Sequence, residues 1–256
     1  MPLWLCSTLT AGKKPLFDGW SWEDHWCGIV IQYSSRQLTF ESDAMLAIPG
    51  LATVCGHQNG SRYLAGLWER DILHGMLWDC GDELEVMRPR AHLAPTWSWA
   101  CMRREVAWIR DQRSLTRYHV ELVDASVEPL VDVQPLGAVK PGAYLDIRGP
   151  CLVGLLASRY TAQDTTRFPV FLGEHEYRFN VDCVPELKEI AGSEVVRLWW
   201  CTEEINATIG SGRDRLLVLR AIDKTLGSFT RVGIIDSAGP EKNWRDLVAE
   251  RTVRIL

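Results

Sequence analysis

From residue 106 onward the sequence breaks into short apolar segments separated by turn residues, and this punctuation narrows the fold more than any other feature. Val106 and Trp108 mark a first strand. Tyr118, Val120 and Leu122 then alternate with His119, Glu121 and Val123. Pro141-Gly142 predicts a turn ahead of a strand over 143–147. Further strands are expected at 152–156, 177–184, 194–202, 215–221 and 229–235, with Gly227-Ser228 joining the last two into a hairpin. Residues 251–256 read as a terminal strand, 241–249 as a short helix, and the polar stretch 159–175 as a loop. Many short strands joined by turns give a mainly β (α+β) fold, an antiparallel β sandwich or distorted barrel with helices packed near the N-terminus. One domain over 1–256 is expected, with a helical, Trp-rich part at 1–100 and a β-rich part at 101–256. The turn near Pro135-Gly137 is the weakest candidate boundary.

The first hundred residues follow a different pattern. A strand is expected over 29–33, ended by Ser34-Ser35. A helix capped by Ser42 or Asp43 carries Ala44, Ala47, Ile48 and Leu51, and Pro49 either kinks or breaks it. Leu64, Trp68, Ile72 and Met76 recur every fourth residue, which predicts a helix that ends before Gly81. Trp97 and Trp99 lie two apart, the spacing of one strand face.

The formal charge of -5 and the absence of any dense basic run argue against nucleic-acid partners. No apolar run approaches the roughly 20 residues that span a bilayer, and the N-terminal segment is a poor signal peptide, so no stable membrane insertion and a cytoplasmic location are expected. The eight cysteines include no CxxC pair, and the six histidines form no HxH or HxxxH. Metal binding is therefore not expected, and most thiols should be small core hydrophobes. Gly210-Ser211-Gly212 lacks the length and the Lys-Ser/Thr of a phosphate loop, and no G-x-S-x-G elbow occurs, so no cofactor is expected.

What remains for chemistry is aromatic. Nine of the twelve tryptophans precede residue 110. Such a cluster forms either an interlocked core or the lining of an apolar ligand cavity. Trp68, Trp78, Trp97 and Trp99 are the candidate lining, with Arg103 as a carbonyl or carboxylate partner. His92, in RPRAHLAPTWSW, and Asp79, beside Trp78, are the candidate acid–base groups. The plainer reading makes His92 a satisfied, partly exposed histidine and Asp79 a cap or surface carboxylate.

Four segments carry a family likeness: WCGIVIQYSSRQLTFESDAMLAIPGLA at 26–52, YLAGLWERDILHGMLW at 63–78, APTWSWA at 94–100 and FTRVGIID at 229–236. In this order they resemble the region downstream of the signature domain in fungal heterokaryon-incompatibility proteins. The signature's own marks, a tyrosine-rich strand leading to Trp-Gly and a later Arg-Gly-Trp, do not occur here. In this likeness Arg36 and Arg231 match arginines of recurring segments, with structural ion pairing as their expected role. Two functions of different class follow. One is a cofactor-independent cyclase or isomerase, pericyclases included, acting on a hydrophobic fungal secondary-metabolite intermediate. The other is a non-enzymatic interaction or regulatory module derived from incompatibility proteins. A homo-oligomer is compatible with both.

Overall fold

The computed structural model describes residues 22–36, 44–80, 93–102, 104–108, 115–155, 168–172, 175–182, 194–206, 211–223, 227–238 and 248–256. The molecule is mostly β. Two helices, α1 (Trp22–Ser34) and α2 (Ala44–Asn59), lead into a hairpin of β1 (Tyr63–Leu64) and β2 (Leu67–Trp68). A 3-10 turn at Glu69–Asp71 and the single helical turn α3 (Ile72–Gly75) follow. The strand β3 (Trp78–Asp79) then pairs with β4 (Ala107–Trp108), placing Trp78 opposite Trp108.

Three local expectations change here. Residues 29–33 are helical rather than extended, because Trp26, Cys27 and Val30 fall on one helical face and are all buried. The β-branched run Ile29-Val30-Ile31 yields to that packing. The Leu64-to-Met76 spacing does not make one helix. Ala65 (φ 46) and Gly66 (φ 103) form a tight left-handed turn that folds Leu64 back onto Leu67, so the apolar period arises from a hairpin, a 3-10 turn and a short helix in succession. Trp97 and Trp99 are not on a strand. They flank Ser98, whose hydroxyl caps a 3-10 turn over Trp99–Cys101 by accepting from the Ala100 amide at 3.0 Å. The helix α2, in contrast, runs through Pro49, whose carbonyl accepts from Thr53 Oγ1 at 2.8 Å.

The remaining strands form one nine-stranded sheet. They are β5 (Thr116–Tyr118), β6 (Glu121–Ser126), β7 (Tyr144–Leu155), β8 (Phe168–Leu172), β9 (His175–Val181), β10 (Glu194–Asn206), β11 (Ser211–Asp223), β12 (Ser228–Ala238) and β13 (Ala249–Ile255). The pairing runs β11-β10-β7-β13-β12-β9-β8, and β11 also pairs with β12, so five strands close a ring of hydrogen bonds. This is the distorted barrel expected from the turns. All pairs are antiparallel except β12 with β13, where Ser228 and Phe229 lie beside Arg254 and Ile255. The segments expected at 143–147 and 152–156 are one continuous strand, β7. Residues 168–172, read as loop, form β8 against β9. Most of the expected helix at 241–249 lies outside the described residues, and Ala249 opens β13.

One cluster of buried residues runs from Trp26 and Val30 through Ile48, Leu64 and Trp78 to Leu217, Val253 and Ile255, joining the Trp-rich part to the barrel. A register shift in β10 between Trp199 and Cys201 leaves Trp200 as an extra residue. Trp200 is fully buried, and its indole donates to the Leu73 carbonyl at 2.7 Å. Cys27, Cys55, Cys80, Cys101, Cys151 and Cys201 are buried, as small core hydrophobes.

Candidate functional site

The tryptophans are organised around two backbone nodes. The first is the β1–β2 turn. The carbonyl of Gly66 accepts from Trp26 Nε1 at 3.0 Å and from Trp99 Nε1 at 2.8 Å. Ser98 Oγ donates to the neighbouring Ala65 carbonyl. A side chain at residue 66 would place its Cβ 2.7 Å from Trp99 Nε1, so the close approach as well as the positive φ requires glycine. Trp68 meets Trp26 edge-on at 5.5 Å between centroids and Tyr63 at 5.1 Å. Burial pushes the Tyr63 phenol well above its ordinary range.

The second node is Arg231, which is fully buried in β12. Its Nε donates to Asp182 Oδ2 at 3.0 Å and its Nη2 to Asp182 Oδ1 at 3.3 Å. Nη1 donates to the Met76 carbonyl at 2.7 Å, and Nη2 also donates to the Trp78 carbonyl. The guanidinium lies 3.5 Å from the centroid of the Trp78 ring. The Arg231 amide in turn donates to Thr96 Oγ1 at 3.1 Å, and the Thr96 amide and hydroxyl both donate to the Leu256 carbonyl. Arg231 thus neutralises a buried carboxylate and satisfies carbonyls at the end of the Trp-rich part, the structural role expected of it.

The four candidate tryptophans fall on these nodes. Trp68 and Trp99 belong to the Gly66 group. Trp78 and Trp97 belong to the Arg231 group and are tied to each other, since Trp78 Nε1 donates to the Trp97 carbonyl at 3.0 Å. All four indoles are buried. Asp79 is half-buried beside Trp78 and accepts from Asn180 Nδ2 at 3.3 Å. His92 and Arg103 lie outside the described residues.

Within this framework Trp97 differs from the five indoles that donate to backbone carbonyls. It is 0% exposed, and its Nε1 has no hydrogen-bond partner among the described residues. The indoles of Trp26, Trp78, Trp99, Trp108 and Trp200 each donate to a backbone carbonyl, that of Trp108 to Gly75 at 3.1 Å. A buried donor left unpaired costs roughly 1–3 kcal/mol, so Trp97 Nε1 has capacity for another acceptor.

A second polar arrangement was not singled out from the sequence. His119 Nε2 lies 2.8 Å from Thr202 Oγ1, and that hydroxyl donates to Asp214 Oδ1. Trp199 Nε1 donates to the same carboxylate oxygen at 3.2 Å, and its ring lies 3.8 Å from the His119 ring. Because a carboxylate only accepts, the Thr202 proton is committed to Asp214 and His119 Nε2 must be the donor to Thr202. The arrangement therefore holds a proton on His119 Nε2 and does not activate the threonine as a nucleophile. Thr202 and Asp214 are register partners across β10 and β11, while His119 is far from both in sequence. Local spacing carries no signal for such a trio.

No family model, curated protein or solved structure matches this chain. Among the described residues no group of three or more His, Cys, Asp and Glu is arranged to hold a metal ion. No helix there is long and apolar enough to cross a membrane.

Proposed function

We propose that this chain is a cofactor-independent cyclase or isomerase, in the cytoplasm of a fungus, acting on a hydrophobic secondary-metabolite intermediate that carries a carbonyl. The observation that carries the reading is the unpaired, fully buried Trp97 Nε1 inside an aromatic cluster. A ligand carbonyl in hydrogen-bond reach of that indole satisfies the donor while its apolar body lies against tryptophan faces. A fixed N–H is already oriented where charge develops on the oxygen during ring closure or double-bond migration. In this reading Asp79 exchanges a proton with the substrate; its half-buried place next to Trp78 and its hydrogen bond from Asn180 support that role. His92 and Arg103 keep their proposed roles as acid–base and carbonyl-binding groups. Ring closures of this kind need mainly substrate folding and a few hydrogen bonds, which a rigid framework supplies. The likeness to the downstream region of heterokaryon-incompatibility proteins gives the proposal its fungal setting.

The test is incubation of the purified protein with the apolar metabolite extract of a fungal host. Products are followed by chromatography and mass spectrometry. Cyclisation or isomerisation converts a metabolite into a species of identical mass and different retention, and Trp97→Phe abolishes that conversion while leaving the protein folded. Absence of any isobaric conversion across such extracts, or full conversion by Trp97→Phe, would contradict the proposal. The interaction-module reading is favoured by a different observation, an exposed apolar turn at residues 130–133.

A further inference from the structure

The connection between β6 and β7 is a small hairpin of its own. Leu130 N donates to the Ala138 carbonyl at 2.8 Å and Lys140 N to the Glu128 carbonyl at 2.8 Å, with a bridge between Pro129 and Val139. Its base is anchored. Val139 and Ala143 are buried in the main core, and Val127, Leu136 and Ala138 pack against it. Its tip is a tight turn closed by Gln134 N to the Val131 carbonyl at 2.9 Å, and Gly137 N to the Gln134 carbonyl at 3.0 Å braces the returning chain.

Two valines make that tip more apolar than a turn requires. Turn apices favour Gly, Asn, Asp and Ser, yet here the turn reads Val131-Asp132-Val133-Gln134. Leu130 is 51%, Val131 47% and Val133 85% exposed. The other exposed large hydrophobics among the described residues, such as Val54, Leu115 and Ile222, come singly in sequence, which is ordinary for a surface. Three within four residues, interrupted only by Asp132 and held on a hydrogen-bonded, anchored hairpin, form the one clustered apolar exposure among the described residues.

We propose that this hairpin is a docking finger whose tip inserts into an apolar pocket of a partner protein with a lysine or arginine at its rim. Charge and size choose the partner. Lys140 pairs with Glu128 at 3.2 Å, so at the tip Asp132 is the charge without an ion pair among the described residues. It sits between the apolar side chains and needs a cation opposite it once they are buried. An anionic bilayer repels this tip, which also lacks the Trp, Tyr, Lys or Arg that anchor a segment in a membrane interface. A second copy is disfavoured because a two-fold contact would set Asp132 against its own mate. Three aliphatic side chains also fall short of the about 800 Å² per partner of a standard interface. A pocket that encloses them suits their size, and the rigid hairpin loses little freedom on entering it. The inference stands whether or not the tryptophan cluster binds a ligand.

The test places a diazirine-bearing amino acid at position 133 of the full chain expressed in a fungal host, with the exposed position 250 as control. The expected result is a discrete protein adduct from 133 that is absent from 250. The partner so identified, purified and titrated against the chain, should bind Val133→Asp at least about tenfold more weakly. Asp132→Lys should also weaken it, with the melting temperature of both variants unchanged. The proposal is overturned by absence of an adduct at 133, by an adduct only with lipid or with a second copy, or by unchanged affinity of Val133→Asp.

Discussion

At the scale of single residues, Arg231 is where the most interactions meet. It faces the Asp182 carboxylate and two backbone carbonyls in a fully buried setting. Removing one member of such a set leaves the others desolvated and unpaired. Arg231→Met should therefore destabilise the fold by about 3–5 kcal/mol in urea denaturation. Adding Asp182→Leu should recover only part of the loss, because the Met76 and Trp78 carbonyls stay unsatisfied. Full recovery would mean that the carbonyl bonds count for little. Thr202 offers a smaller test. Thr202→Val removes the hydroxyl between His119 and Asp214 and should cost about 1–3 kcal/mol, whereas Thr202→Ser should retain most of the stability. Equal behaviour of the two variants would show that the hydroxyl is not the relevant group. The thiols give a pH dependence. Burial pushes Cys55 and Cys151 from an ordinary 9.0 up to about 11. The unfolded chain loses these protons from pH 9 while the folded chain holds them, so the thiols' contribution to stability should be level below pH 9 and fall between pH 9 and 11. Cys55→Ala with Cys151→Ala should make that decline shallower without removing it, since burial also raises Cys80, and native alkylation of Cys55 and Cys151 should stay slow until pH nears 11.

At the scale of elements, the β1–β2 hairpin organises the N-terminal aromatics. Gly66→Ala combines a strained left-handed alanine with a clash at Trp99 and the threatened loss of two indole hydrogen bonds. The expected loss is about 2–4 kcal/mol, read from chemical denaturation. A change below about 0.5 kcal/mol would contradict the role given to this turn. The same hairpin explains what could and could not be read from sequence. The β11–β12 hairpin was legible because Gly227, at φ 64, sits between two alternating runs and local chemistry decided the outcome. The Leu64-to-Met76 spacing was misleading because a two-residue turn followed by a 3-10 turn reproduces a helical period without a helix. In α1 the β-branched centre pointed to a strand, and burial of Trp26 and Val30 on one helical face overrode it. For the site, the burial of Trp68, Trp78, Trp97 and Trp99 was foreseeable from residue type, as a feature common to core and pocket lining. That Trp97 Nε1 lacks an acceptor depends on carbonyls brought from distant turns. The His119–Thr202–Asp214 arrangement depends on strand register, which no local spacing encodes.

At the scale of the whole molecule, the Trp-rich part and the barrel share one core and one polar clasp. Trp200 reaches from β10 to the Leu73 carbonyl, Arg231 from β12 to Met76 and Trp78, and Thr96 holds the Leu256 carbonyl beside β12. This framework fixes the position of Trp97, and the account turns on what its N–H meets. A nitrogen-15 tryptophan-labelled protein gives one indole signal per tryptophan, and the Trp97 signal is the one lost in Trp97→Phe. The direct measurement is a titration of the labelled protein with a cyclic enone as an apolar carbonyl probe, read in that spectrum. A saturable downfield shift of the Trp97 indole proton is expected as it gains an acceptor, while the signals of Trp26, Trp78, Trp99, Trp108 and Trp200, already bonded to backbone carbonyls, keep their downfield positions. A Trp97 signal that does not move at saturating probe, or a response confined to the already bonded indoles, would contradict it.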